Sequence, residues 1–213
     1  MPDFVPDPPL FLAYLAATFV IIFTPGPDMT LFLGKTLAQG RAQGLASMFG
    51  AATGNLVHTV LAAVGLSALL AANDTAFRII QIAGALYLLW LAVQSIRHGS
   101  ALTVDRAAQA PEPVLSAYLQ GIGINLLNPK VVIFFLTFLP QFVVPGDPAA
   151  IQTLLFLGVL LVVLAVMACI PMILFADWIA HAARRSKGVM RSIDWLFAGI
   201  MGGFALKLLL DRR

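Results

Sequence analysis

The chain alternates long apolar runs with short polar stretches. A bilayer core of about 30 Å is crossed by about 20 helical residues. Six runs reach that length. The first covers about residues 10–33 and is interrupted at Thr24-Pro25-Gly26-Pro27-Asp28. The second covers about 42–71 and the third about 77–96. A polar loop follows to residue 113, with Asp105, Arg106, Glu112 and two prolines. The fourth run covers about 114–144 and is interrupted at Asn125-Leu126-Leu127-Asn128-Pro129-Lys130. The fifth covers about 149–176, where Pro171 predicts a kink, and the sixth about 190–210.

The order of features repeats. Pro27-Asp28 in the first half stands opposite Pro129-Lys130 in the second, 102 positions later. Each half holds three segments, an odd number, so the halves must face opposite ways across the membrane. The expected architecture is an all-α integral membrane protein of six helices, built as two inverted three-helix repeats with helices 1 and 4 broken. It forms one domain over residues 1–213: repeat one about 8–98, a loop about 99–113, repeat two about 114–211.

Composition agrees with that reading and excludes others. Of 213 residues, 60% are hydrophobic and 11% charged, against about 25% charged in soluble domains. Mean hydropathy is +0.93. A soluble enzyme, a nucleic-acid binder and a disordered tail are all disfavoured. The single cysteine, Cys169, makes no internal disulfide, redox pair or Cys-based metal site. Nothing near the N-terminus reads as a cleavable signal peptide, because its first ten residues carry two aspartates and no Lys or Arg. No nucleophile–base pair, zinc motif or phosphate-binding glycine loop is present, so no enzyme, cofactor or metal is expected.

Lysine and arginine set orientation. Lys35, Arg41, Arg97, Arg106 and the 184–191 cluster fall after segments one, three and five. Arg78, Lys207, Arg212 and Arg213 fall on the other side. The first group predicts cytoplasmic connections and both termini outside.

The breaks carry the chemistry. In hydrocarbon every backbone N–H and C=O needs an internal partner. Proline removes a donor and disrupts the preceding turn. The two interrupted stretches must therefore be buried in protein or line a wet cavity. Asn128 before Pro129 reads as an N-cap with a first-turn proline. Asp28 suits the positive end of the half-helix that follows it. Asp28 and Lys130 each follow the breaking proline of their half, and intramembrane charges usually have a partner or a function. They are expected to approach each other, with Asp28 taking the ammonium and Lys130 the carboxylate of a zwitterion, and to pair when empty. A cap and a snorkelling lysine are the plainer alternative.

His58, with Asn55 one turn earlier, is either a proton relay or a core histidine bonded to a carbonyl. Asp177-Trp178 and Asp194-Trp195 read as interfacial helix ends. Gly50/Gly54 and Gly199/Gly203 read as close helix packing, within the protomer or in a homodimer. Gly40/Gly44 reads as a loop-to-helix junction.

These residues resemble the LysE/RhtB family of bacterial amino-acid exporters. Phe23-Thr24-Pro25-Gly26-Pro27-Asp28 is similar to its first-helix PGP motif. Gly50 to Gly54 with His58 and Gly65-Leu66 resembles its second helix, and Gly84 to Leu88 with Trp90-Leu91 its third. Gly121, Asn125, Asn128-Pro129-Lys130, Phe134-Phe135 and Pro140-Gln141-Phe142 resemble its fourth. The ordered set spans essentially the whole chain. The resemblance implies six helices, an inner-membrane location and proton-driven export of amino acids or derivatives. The expected substrate-binding residues are Pro25, Gly26, Pro27, Asp28, Asn125, Asn128, Pro129 and Lys130. Asp28 and His58 are the expected proton carriers. The expected partners are a small, neutral amino acid, protons and the lipid bilayer. The competing reading from another class is a non-transporting membrane subunit or assembly factor.

Overall fold

The computed structural model describes residues 4–66, 110–143 and 147–178, with scattered positions between 79 and 97 and between 188 and 206. The described residues are helical or in short turns, with no strand among them. Helix α1 is Pro8–Phe23, α2 Pro27–Gln39 and α3 Arg41–Leu61, which runs on through a π-helical turn over Ala62–Leu66. Helix α4 is Val114–Leu126. Helix α5 is Pro129–Ile133 and continues as a π-helical turn over Phe134–Phe138 and a 3-10 turn over Leu139–Phe142. Helix α6 is Ala150–Leu174.

Residues 41–65 and α6 are each long and apolar enough to cross a bilayer. The pair α1–α2 reaches that length with a bend of 48°, and α4 with 129–142 with a bend of 50°. Both expected breaks are therefore present. The third and sixth expected segments, the 99–109 loop, His98, His181 and Asp194 lie wholly or largely outside the described residues.

Proline explains both breaks. A residue before proline is driven out of the helical region. Thr24 before Pro25 has ψ 123° and Asn128 before Pro129 has ψ 108°, both extended. Pro27 and Pro129 then open the next half-helices at the position where a missing N–H costs nothing. Asn128 Oδ1 accepts from Lys130 N at 3.0 Å, the expected N-cap. Replacing Asn128 by Ala is expected to destabilise the protein by about 1 kcal/mol, read as a lower melting temperature in detergent. Asn128→Ser, which keeps a capping acceptor and adds no charge beside Asp28, is expected to retain most of that stability. Pro171 lies inside α6, and the N–H of Phe175 closes the last turn on its carbonyl at 2.9 Å.

Helix α3 packs on α2, α4 and α6. Lipid gives helices no hydrophobic reason to associate, so close packing and polar contacts must hold them. Glycines provide the approach. A Cβ on Gly50 would overlap the carbonyl of Tyr118 and come within 3.0 Å of Gly121 Cα. A Cβ on Gly121 would in turn overlap the carbonyl of Ser47. Gly50/Gly54 thus packs α3 on α4 within the protomer. The turn from α2 to α3 is the single residue Gly40, whose φ of 110° favours glycine.

Lys35 departs from the sequence reading. It was expected in a basic connection, but α2 continues to Gln39, because no breaker occurs before Gly40. The ammonium lies buried and forms an ion pair with Glu112, just before α4. Glu112 also accepts from Ser116 Oγ at 2.9 Å and Gln120 Nε2 at 2.6 Å. Its carbonyl accepts from Gln43 at 3.3 Å. This network fastens the end of α2 to the start of α4 at one end of the molecule. Arg41 donates to the carbonyl of Leu174 at 3.1 Å, a cation on the C-terminus of α6. Glu112→Gln and Lys35→Met are expected to be non-additive in melting experiments, with a coupling of about 1 kcal/mol. Additive losses would mean that the pair contributes nothing as a pair.

Candidate functional site

The breaks meet between two apolar clusters. One gathers Tyr14, Phe134, Phe138, Phe142 and Leu157 with their neighbours. The other gathers Met29, Phe32, Leu33, Met48, Cys169 and Ile173. Between them is an open cavity, about 670 Å³ with the solvent space of its mouth included. Its wall is mostly apolar, with Ile21, Phe32, Met48, Phe134 and Leu161 among the contributors. Asp28, Lys130, Asn55 and Thr24 supply its polar groups.

Each charge sits where the backbone favours it. Asp28 lies in the first turn of α2, facing the positive helix end. Lys130 reaches across to the last turn of α1 and donates to the carbonyls of Ile21 at 3.1 Å and Thr24 at 2.9 Å. Those carbonyls have lost their helical partners at the break, and a cation at that end is favourable. Gly26 makes the approach possible: a Cβ there would stand 3.1 Å from Lys130 Nζ. The side chain of one break thus caps the other.

Asn125 completes the link. It is fully buried, and its Nδ2 donates to Asp28 Oδ2 at 2.8 Å and to Asn55 Oδ1 at 3.3 Å. A Cβ on Gly54 would come within 2.9 Å of Asn125 Cβ and Cγ, so Gly54 is the seat of this side chain. Asn128 is buried beside the same carboxylate. Asp28 Oδ1, Asn125 Oδ1 and Asn128 Nδ2 are buried without a hydrogen-bond partner among the described residues. Buried polar groups normally have one, so this cluster holds unspent capacity.

The structure therefore brings Asp28, Asn125, Asn128 and Lys130 together, with Pro25 and Gly26 at the same break. Pro27 and Pro129 are exposed and act through the backbone alone. Asp28 and Lys130 share the cavity but do not form the direct ion pair expected for the empty site. Each already has nearer partners, a carboxamide for Asp28 and two carbonyls for Lys130. His58 places Nε2 3.4 Å from the carbonyl of Asn125 and stacks on Phe135 at 5.5 Å between ring centres. It thus stands beside Asn125, bonded to a carbonyl as a core histidine would be.

Sequence reasoning passed over Asn55 and Cys169 as wall residues. Asn55 had a usable signal, since it is a carboxamide in an apolar run, three residues before His58. Cys169 had none.

No solved structure matches the chain. Several curated proteins do. A homoserine/homoserine lactone efflux protein of Salmonella typhimurium is 33% identical over 72% of this chain and 73% of its own length. A threonine efflux protein of Salmonella typhi is 28% identical over 95% of this chain and 98% of its own. A leucine efflux protein of an Enterobacter strain is 27% identical over 93% of this chain and 94% of its own. The model of the LysE type translocators matches residues 19–212. That match covers both breaks and the cavity between them, and the chain belongs to the LysE type translocator family.

Proposed function

We propose that this protein is a secondary active exporter of small neutral amino acids across the bacterial inner membrane, driven by the proton gradient. The observation that carries the reading is one acid and one base on a mostly apolar cavity between two helix breaks. An amino acid is a zwitterion, and this pair complements it once. A cationic substrate would call for a second acid.

Asp28 Oδ1, buried and unpartnered, receives the ammonium. An ammonium has three donors. Lys130 uses two on Ile21 and Thr24, which leaves one for the substrate carboxylate. Asn125 holds Asp28 in place, and Asn128 with Pro129 fixes the half-helix that carries Lys130. Asp28 is the proton carrier, with His58 beside it as a second. The two halves are inverted repeats, and rocking one against the other alternates access. The named activities of the relatives support amino acids as the class.

The test is efflux of labelled threonine, homoserine and leucine from vesicles containing the purified protein, with and without a pH gradient. Efflux of at least one of them, faster with the gradient, is expected. Efflux no different from that of protein-free vesicles would overturn the reading and leave a membrane subunit without transport.

A further inference from the structure

Of the polar side chains that line the cavity, Asn55 has been given no part in holding the ammonium or the carboxylate. Asn125 Nδ2 bonds Asp28 Oδ2 at 2.8 Å. A carboxylate only accepts, so the atom of Asn125 facing it must be the NH2 nitrogen. That same nitrogen also bonds the side chain of Asn55 at 3.3 Å, so the Asn55 atom facing it must be the oxygen. The orientation of Asn55 is thereby fixed through Asn125 by Asp28. Its other end, Nδ2, has no partner among the described residues, and Asn55 lines the cavity. The backbone carbonyl of Asn55 accepts from Thr59 Oγ1 at 2.8 Å.

We infer that Asn55 donates a hydrogen bond to a side-chain oxygen of the substrate, selecting amino acids with a side-chain hydroxyl over aliphatic ones of the same shape. This rests on the exporter reading. There the ammonium goes to Asp28 and the carboxylate to Lys130. Asn55 and Asp28 accept from one nitrogen, so an amino acid held on Asp28 carries its β or γ substituent past Asn55. The neighbouring wall residues Phe32, Met48, Phe134 and Leu161 are apolar and offer a hydroxyl no side-chain donor. An aliphatic substrate seated against the Asn55 amide covers it without giving it a partner, which disfavours that substrate. Asn125 acts here as a positioning residue, since it touches the substrate through neither of its bonds.

The test uses the full chain in proteoliposomes and compares threonine with valine, which differ by a hydroxyl in place of a methyl. The ratio of their kcat/KM values in counterflow is measured for wild type, Asn55→Leu and Asn55→Gln. The wild-type ratio is expected to favour threonine by about tenfold. Asn55→Leu should bring it to about one, chiefly by raising the KM for threonine, and Asn55→Gln should keep part of the preference. A wild-type ratio near one, or a ratio unmoved by Asn55→Leu, overturns the role of Asn55 and leaves the exporter reading intact. Wild-type vesicles that move no amino acid overturn both. If Asn55→Leu exchanges too slowly to measure, thermal stabilisation of the purified variant by threonine and by valine supplies the same ratio.

Discussion

Lys130→Met is expected to abolish amino-acid exchange, by 100-fold or more, and to lower the melting temperature of the purified protein. The two effects have separate causes. Methionine nearly fills the volume but has no N–H to donate. The carbonyls of Ile21 and Thr24, at the end of α1, then lose their donor. Proline at position 25 bars the helix from continuing and supplying another. An unsatisfied buried acceptor costs about 1–3 kcal/mol, and the membrane interior offers little water to relieve it. The loss of transport comes from the missing charge opposite the substrate carboxylate. About 3 kcal/mol of transition-state interaction corresponds to that 100-fold loss. Lys130→Arg separates the two. It keeps the charge and donors, but its longer, planar head must fit against Gly26, whose missing Cβ leaves only enough room for an ammonium. It is expected to recover stability more than rate. Melting in detergent and counterflow in proteoliposomes measure the two effects.

Gly54→Ala is the second large effect, although the change is one methyl. The new Cβ would stand 2.9 Å from both Cβ and Cγ of Asn125, too close for either helix to accept. Either α3 and α4 separate or the carboxamide turns away. Separation loosens the glycine-packed contact at Gly50 and Gly121. Turning breaks the bond to Asp28. Overpacking of this kind costs about 1–3 kcal/mol, and exchange should fall about tenfold or more because the ammonium site loses its support. Gly34→Ala and Gly123→Ala are the controls. A Cβ at either meets nothing within 4 Å, and on helices alanine is favoured over glycine. Both are expected to melt at or slightly above wild type with exchange unchanged.

The breaks were legible in the sequence because proline acts locally. Thr24-Pro25-Gly26-Pro27 and Asn128-Pro129 dictate their own geometry, and the structure follows them, down to the Asn128 cap. The Gly50/Gly54 spacing announced close packing but not its partner, since any smooth helix face would answer it. The partners of the charges were not legible. Lys130 finds backbone carbonyls more than 100 positions away, and every residue has a carbonyl. Lys35 finds Glu112 77 positions away, and nothing near either residue signals the other. Hence Lys35 read as a connection and Asp28 with Lys130 as a direct pair. The π-helical turns at Ala62–Leu66 and Phe134–Phe138 were not expected either, since Gly65 and Pro140 nearby do not specify that geometry. The two turns touch each other.

Asp28→Asn tests the central claim most directly. The substituted side chain keeps the size of the original and an oxygen to accept from Asn125, so the fold should survive and only the charge is lost. Counterflow of a labelled amino acid is measured in proteoliposomes holding equal amounts of wild type and variant. The account predicts that Asp28→Asn reconstitutes and melts like wild type and exchanges at about one-hundredth of its rate or less. Exchange at the wild-type rate would contradict it, because the ammonium would then be held elsewhere.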